Sequence, residues 1–333
     1  MTDASSESLH PFDALSPDVI LDAVDAAGWL TDGRFLALNS YENRVYQVGV
    51  EDQTPVIVKF YRPERWSDAQ ILEEHAFAAE LVSHELPVVA PLSINGKTLL
   101  RHEDYRFSVY PRRGGHAPPL DDPDALVIMG RYLALLHNVG AVKPFEHRPT
   151  LDLASFGIDA VAHISEHWIP DSLREAYTSL TRDLLATLTR RFEEAGTQAL
   201  IRTHGDCHGG NVLWRDDLPS FVDLDDARMA PAMQDIWMLL SGEAHEQQRQ
   251  LMEIAEGYNE FRDFPVRELN LIEPLRTLRI LHFCHWIAQR WDDPAFPKAF
   301  PWFGSERFWG EHILELRNQL AALQAPALTL PRP

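Results

Sequence analysis

The secondary structure predicted for this chain changes character about one third of the way along its 333 residues. Before that point, runs of β-branched and aromatic residues favour strands, and they flank an apolar stripe with helical spacing at residues 67–84. After the Pro- and Gly-containing segment 111–115, helical patterns dominate. The strand-like runs are residues 45–48, 56–60, 97–100 and 105–110, and the other helical patterns are residues 16–28, 126–136, 171–195, 246–260 and 268–291. These patterns predict an α+β architecture in which a small β-rich lobe with one main helix precedes a larger α-helical lobe.

The lobe boundary is predicted at the segment that contains Pro111 and the following glycines. Residues 11–112 form the predicted N-lobe, and residues 113–333 form the predicted C-lobe. Residues 1–10 are small, polar and acidic, which predicts a flexible tail.

Acidic residues outnumber basic ones, and this balance limits the classes of partner. Fifty Asp and Glu against thirty Lys and Arg give a formal net charge of −20, whereas nucleic-acid binders concentrate basic residues against phosphates. No apolar run approaches the roughly 18 residues that a membrane span needs, so we expect neither a nucleic acid nor a membrane as partner. The two cysteines, Cys207 and Cys284, are far apart in the sequence and suit a reducing cytoplasm. The net charge mildly favours a cationic substrate over an acidic one.

One short segment between the predicted helices carries the most distinctive polar pattern. Residues 204–211 read HGDCHGGN, so Asp206 and Asn211 have the offset of the Asp and Asn in the kinase catalytic loop H-R-D-x-x-x-x-N. A carboxylate at the first position can accept the proton of an attacking hydroxyl, and an amide oxygen at the second can hold Mg²⁺ on the phosphates of ATP. Asp223 follows an apolar pair twelve residues after Asn211, so the end of a strand would present a second catalytic carboxylate to the same metal.

A lysine in the N-lobe is the predicted contact to the phosphates. Lys59 ends the apolar run Val56 to Val58 and resembles the lysine of the kinase motif V-A-I-K. Glu74, or its neighbour Glu73, lies on the next predicted helix and is the expected ion-pair partner that holds Lys59 in place.

The segment at residues 39–44 occupies the position of a hairpin loop that covers phosphates. Such loops usually contain glycines, because their backbone amides must approach the phosphates closely. This segment has none. The side chains of Ser40 and Asn43 are therefore expected to supplement the backbone in binding the nucleotide.

Four segments together carry a family resemblance. LNSYENRVYQV, VIVKFYRPERW, HGDCHGGNVLW and FVDLDDARMAPAMQDIWML resemble the stress response kinase A group of bacteria, and the resemblance extends over residues 9–325. That group lies within the aminoglycoside phosphotransferase and choline kinase-like branch of the protein-kinase-like fold. The resemblance implies a bilobal fold with a nucleotide-binding N-lobe. It also implies a cytoplasmic, monomeric serine/threonine protein kinase that depends on ATP and Mg²⁺ and acts in stress responses.

Matched position by position, the resemblance implies roles for individual residues. Asp206 would be the proton acceptor, Asn211 and Asp223 would be Mg²⁺ ligands, and Ser40 would lie at the ATP site. Asp235 resembles a buried aspartate that orients the catalytic loop, which is a supporting role rather than a chemical one.

Two other functions stay open on the sequence alone. Pro231 lies only eight positions after Asp223, and no APE motif follows, so a long activation loop is not expected. This feature matches kinases of small molecules, such as amino alcohols, sugars or aminoglycosides, better than protein kinases. The third possibility is a nucleotide-binding module without catalysis, against which the intact lysine, base and metal residues argue.

The adjacent Asp225 and Asp226 are expected to be solvated or to cap the chain locally, with Asp225 a weaker candidate for the metal.

Overall fold

The structure, a computed structural model, describes residues 10–330, and its N-lobe is built on a five-stranded antiparallel sheet. The N-lobe elements are α1 (Pro17–Ala26), β1 (Thr31–Ala37), β2 (Arg44–Val50), β3 (Val56–Phe60), α2 (Asp68–Ser83), β4 (Leu100–His102) and β5 (Tyr105–Pro111). The strand order is β1-β2-β3-β5-β4, so β3, which carries Lys59, is the central strand. A flexible tail was predicted at residues 1–10, and of these only residue 10 is among the described residues.

Helix starts in this lobe follow local capping chemistry. The Ser16 side chain accepts a hydrogen bond from the Val19 N–H at the start of α1, and Ser67 forms a reciprocal capping box with Gln70 at the start of α2. One face of α1 then packs on the sheet through buried Ile20 and Val24. This packing fixes the sheet from one side, and the other side faces the cleft between the lobes.

The C-lobe is mainly helical and encloses two small two-stranded sheets. Its elements are α3 (Pro123–Gly140), α4 (Asp159–His167), α5 (Asp171–Ala195), β6 (Ile201–Thr203), β7 (Val212–Arg215), β8 (Leu218–Phe221), β9 (Arg228–Ala230), α6 (Met233–Trp237), α7 (Ala244–Asn259), α8 (Ile272–Ala288), α9 (Ala295–Ala299) and α10 (Glu306–Gln324). The pairs β6–β9 and β7–β8 frame residues 204–211 and the turn that contains Asp223. The predicted α+β bilobal fold is thus confirmed.

Several elements differ from the sequence-based expectation. Strand β1 and helices α4 and α10 were not predicted, and β4 begins at Leu100 instead of Lys97. The domain boundary at residue 112 stays a prediction. Apolar side chains of α2, such as Phe77 and Leu81, belong to the same buried cluster as the C-lobe helices, so packing is continuous across that boundary. Among the described residues, no helix is both long and apolar enough to span a membrane.

Candidate active site

The loop that carries Asp206 is anchored by hydrogen bonds to a buried carboxylate. Asp235, at the start of α6, accepts hydrogen bonds from the backbone N–H groups of His204 and Gly205, each at 2.8 Å. Gly205 has φ of +83°, and a Cβ there would clash with the carbonyl oxygen of Asp226. Asp235 itself is fully buried and contacts His137 at 3.2 Å. The geometry agrees with the supporting role that the resemblance implies for Asp235.

Asp206 projects from this loop toward the cleft. Its Oδ2 lies 3.4 Å from the amide nitrogen of Asn211 and 3.5 Å from Nε2 of His208, and its Oδ1 accepts from Nη1 of Arg279. Burial alone would raise the pKa of Asp206, but the hydrogen bond from His208 and the positive charge of Arg279 hold that pKa below its usual value. The carboxylate is therefore ionised at neutral pH and able to accept a proton.

Asn211 is positioned by the catalytic loop itself. Its amide nitrogen donates to the backbone oxygen of Asp206 at 3.0 Å, which leaves Oδ1 as the atom available to a cation. Val222 joins this loop to Asp223, because its N–H donates to the Asn211 carbonyl at 3.0 Å and its carbonyl contacts Nε2 of His204 at 2.9 Å. Asp223 therefore follows directly from a residue fixed to the catalytic loop.

Asp223 and Lys59 meet across the cleft. Asp223 has left-handed backbone angles, φ 58° and ψ 63°, which a non-glycine residue rarely adopts and which are often found at functional sites. Its side chain is 54% exposed, and Lys59 Nζ donates to its Oδ1 at 2.7 Å. Lys59 also lies 3.1 Å from Oδ1 of Asp225. Burial would lower the pKa of Lys59, but Asp223 and Asp225 raise it well above its usual value, so the ammonium group stays charged.

The expected ion pair between Lys59 and a glutamate of α2 is not formed in this structure. Glu73 accepts backbone N–H groups of residues 146–148, and Glu74 is buried within 3.8 Å of His75 instead. Burial raises the pKa of Glu74 to about 7, although the nearby charge of Lys59 opposes this. Two carboxylates of the C-lobe thus take the place expected for Glu74. The role of Glu74 beside the nucleotide stays a prediction.

The β1–β2 loop, residues 38–43, lies over this cluster but uses its side chains in a different way from the prediction. The amide of Asn43 donates to Oδ2 of Asp225 at 3.1 Å and accepts the N–H of Arg62 at 3.1 Å, so it joins the two lobes. Ser40 is half-buried near the tip of the loop. Binding of a nucleotide by Ser40 and Asn43 stays a prediction, and Asn43 would have to release Asp225 to reach a phosphate with its amide nitrogen.

A group of buried charges in the site was missed by the sequence reasoning. Asp225 is 3% exposed, and it pairs with Arg65 and Lys59, so the expectation of a solvated or capping residue is wrong. Burial would raise the pKa of Asp225, but Arg65 and Lys59 hold it at about 2. Arg65 also pairs with Asp226 at 2.9 Å. The signal was present in the RPERW segment that follows Lys59, but its arginines were used only as a family signature.

The donor set fits a divalent metal ion such as Mg²⁺. Hard cations prefer carboxylate and amide oxygens, which Asp223, Asp225 and Asn211 provide on neighbouring turns. Oδ1 of Asp225 is buried 3.1 Å from Lys59 Nζ but accepts no well-aligned hydrogen bond among the described residues, so it keeps the capacity to bind a further cation. Within residues 10–330, no cluster of three His, Cys, Asp or Glu side chains could hold a metal by itself. A metal here would therefore also need oxygens from phosphates and water.

Comparisons with known proteins identify the family of this chain. Residues 34–269 match the model of a family described as the phosphotransferase enzyme family. Stress response kinase A of Escherichia coli strain K12 is 46% identical over 326 residues, which cover 98% of each chain. The serine/threonine protein kinase RdoA of Salmonella typhimurium strain LT2 is 44% identical with the same coverage.

Solved structures share the fold at lower identity. An amicoumacin kinase in complex with AMP-PNP and Ca²⁺ superposes with a TM-score of 0.72 at 18% identity, covering 94% of both chains. A microcompartment-associated aminopropanol kinase superposes with a TM-score of 0.69 at 19% identity, covering 92% of this chain and 97% of the other.

Proposed function

The chain belongs to the phosphotransferase enzyme family, in the stress response kinase A group, and from this premise we propose that it is a serine/threonine protein kinase. As a kinase it uses ATP and a divalent metal ion, and we take the metal to be Mg²⁺. The proposal includes a monomeric enzyme in the cytoplasm that acts in a bacterial stress response.

The observation that carries this proposal is the convergence of residues from distant parts of the chain. Lys59 and Asp223 are 164 positions apart in sequence, yet their side chains lie 2.7 Å from each other. Through Val222, Asp223 is joined to the loop that holds Asp206 and Asn211. A cation for the phosphates, a base and oxygen ligands for a metal are thus grouped in one cleft, as phosphoryl transfer requires.

The residues divide the chemistry between them. The acceptor hydroxyl loses its proton to the Asp206 carboxylate as its oxygen forms a bond to the γ-phosphorus of ATP. The bond from that phosphorus to the bridging β–γ oxygen breaks, and ADP leaves with the electron pair. Lys59 is charged throughout and would steady the phosphates. Because transfer depends mostly on positioning, the contacts of Asp235 to the loop would support the reaction by holding Asp206 in place.

The metal would be held by Asn211 and Asp223, with Asp225 as a further carboxylate. When bound, it supplies positive charge that neutralises the phosphate oxygens. In this structure Lys59 contacts Asp223, and Asn43 contacts Asp225. Their contacts would therefore be exchanged for contacts to the metal and to phosphate oxygens.

The test is transfer of labelled phosphate from ATP to protein. We expect the purified chain with Mg²⁺ to label a protein substrate or itself on Ser or Thr, and both Asp206→Asn and Asp223→Ala to lose this activity. Asp217→Asn is the matched control, because Asp217 is exposed in the turn between β7 and β8. Full activity of either active-site variant would disprove the mechanism.

A second candidate is a kinase of a small molecule. It is favoured by the short path from Asp223 to Pro231, which the structure fills with one 3₁₀ turn (Leu224–Asp226) and β9. No room is left there for a long regulatory segment. Incubation with a metabolite pool in place of protein distinguishes the two, because Asp206-dependent labelling of a metabolite alone would exclude the protein kinase.

A further inference from the structure

An arginine outside the predicted site lies directly on the proposed base. Arg279, on α8, donates from Nη1 to Oδ1 of Asp206, and its side chain is 44% exposed. The other oxygen of Asp206 already faces Asn211 and His208. Oδ1 is therefore the oxygen that an acceptor hydroxyl would approach, and the guanidinium group of Arg279 now occupies that position.

Arg279 differs from the other arginines of the cleft. Arg62 and Arg65 have side chains only 9% and 11% exposed, and each pairs with more than one carboxylate. Arg276, one turn earlier on α8, is engaged by Glu273 and Gln247. Among the described residues, Asp206 is the one carboxylate within ion-pair distance of Arg279. Most donors of its guanidinium group are thus free to bind an oxyanion, for which the planar fork is well shaped.

The same face of α8 leads from Asp206 toward the β1–β2 loop. Phe283 and Trp286 lie four and seven positions after Arg279, which places them along one side of the helix, and Arg290 follows just after the helix ends. Phe283 is 44% exposed and stacks on Trp286, and Trp286 donates from Nε1 to Glu42 of the β1–β2 loop at 2.5 Å. An acceptor that reaches Asp206 would therefore pass beside Arg279 and this aromatic strip.

We propose that Arg279 determines specificity by binding an anionic group, a carboxylate or a phosphate, that lies next to the acceptor hydroxyl. The inference rests on the proposed function, so the acceptor is a Ser or Thr beside an Asp, Glu or phosphorylated residue. The acceptor anion replaces Asp206 as partner of the guanidinium group, which frees Oδ1 for the hydroxyl and keeps both charges paired. A neighbouring lysine would be repelled.

This preference is opposite to the one that the net charge favours, and distance explains the difference. The charge of −20 acts on an approaching substrate through solvent, where salt screens it beyond about 8 Å. At contact with Asp206, the exposed guanidinium group is the nearest charge that has no second partner among the described carboxylates.

The experiment measures kcat and KM on peptides that contain a single Ser flanked by Asp, Asn, Lys or phosphoserine. Malate, a free hydroxy acid, is the non-peptide arm, and Mg²⁺-dependent ATP hydrolysis is measured in parallel. The variants are Arg279→Gln and Arg279→Glu, with Arg276→Gln as the matched control on the same helix. Melting temperatures check that every variant folds.

We expect the wild type to prefer the Asp and phosphoserine peptides. Arg279→Gln should lower kcat/KM for them about 10- to 100-fold, the usual effect of one lost charge-assisted contact, and change the Asn peptide little. Arg279→Glu should shift the preference to the Lys peptide, which a purely structural role would not do. Arg276→Gln should behave as wild type.

Other outcomes separate this inference from the proposed function. Equal use of Asp and Asn peptides by the wild type, or equal losses on all peptides in both Arg279 variants, would overturn the role of Arg279 alone. Turnover of malate but no peptide, with the same dependence on Arg279, would keep the anion site and overturn the protein acceptor. ATP hydrolysis that depends on Asp206 without transfer to any acceptor would overturn the anion site. If the wild type shows no turnover that depends on Asp206, both the role of Arg279 and the proposed function would be overturned.

Discussion

One contact between the β1–β2 loop and the C-lobe is made by a buried carboxylate that is surrounded by cations. Glu42 is 8% exposed, and its oxygens lie 3.1 Å from Nε of Arg62, 2.6 Å from Nε of Arg290 and 3.7 Å from Nε of Arg65. Trp286 donates to it as well. We expect Glu42→Gln to destabilise the protein, because the substitution removes a buried negative charge that three arginines share while keeping the size of the side chain.

The magnitude follows from the burial of these partners. Breaking a buried ion pair costs about 3–5 kcal/mol, and glutamine still offers one oxygen as an acceptor, so we take about 3 kcal/mol. At about 2.1 cal/mol/K per residue, the unfolding entropy of 333 residues is about 700 cal/mol/K. The melting temperature should therefore fall by about 4 °C.

The assay is thermal unfolding, monitored by circular dichroism, of the wild type and two matched variants. Glu260→Gln is the same chemical change in the pair with Arg131, whose side chains are 40% and 41% exposed. Because exposed pairs contribute little, that variant should shift the melting temperature by less than about 1 °C. Equal shifts in the two variants would refute the argument that burial of the Glu42 cluster determines its contribution.

Three further predictions concern the catalytic loop and α2. Gly205→Ala should lower the free energy of unfolding by about 1–3 kcal/mol in a denaturant titration, because its φ is positive and its Cβ would meet the Asp226 carbonyl; an unchanged midpoint would contradict this. Asp235→Asn should lower kcat about 100-fold at a similar KM for ATP, because one of the two loop N–H groups would face an amide NH2 instead of an acceptor oxygen; the kinetics would contradict this if KM rose instead. Glu74 has its pKa raised from 4.5 to about 7 by burial, so the folded state binds a proton that the unfolded state has lost between these values. The wild type therefore loses stability as pH rises from about 4.5 through 7. Glu74→Gln should become more stable relative to wild type from pH 5 to pH 8. A constant difference in melting temperature between the two proteins would show that Glu74 does not titrate in this range.

Elements with strong periodicity were predicted from the sequence, whereas those stabilised by neighbours were not. Helices α5 and α7 agree closely with their apolar patterns. Strand β1 is largely exposed, contains Gly33 and has an irregular register with β2, so its own residues give little strand signal. Helix α10 is different, because Trp309, Ile313 and Leu316 repeat at helical spacing. This spacing is a helix signal that can be recognised in the sequence.

The candidate site shows the same division between local and distant information. Asn211 and Asp223 flank the β7–β8 hairpin, and Asp206 lies five positions before Asn211, so a single short turn in the chain brings the three residues together. The partner of Lys59 could not be found in this way. Glu74 is near in sequence, but Asp223 and Asp225 lie closer in the fold because the C-lobe turn packs under β3.

The sequence by itself determined the two-lobe architecture, the order of the catalytic residues and the acidic net charge, because each depends on local pattern or composition. Only the tertiary structure decided how charge is distributed within the cleft. Arg65 lies between β3 and α2, Arg279 lies on α8 and Arg290 follows α8, and the packing of these segments brings them to Asp225, Asp206 and Glu42. Coulomb energy depends on distance and burial, and neither can be read from positions along a chain.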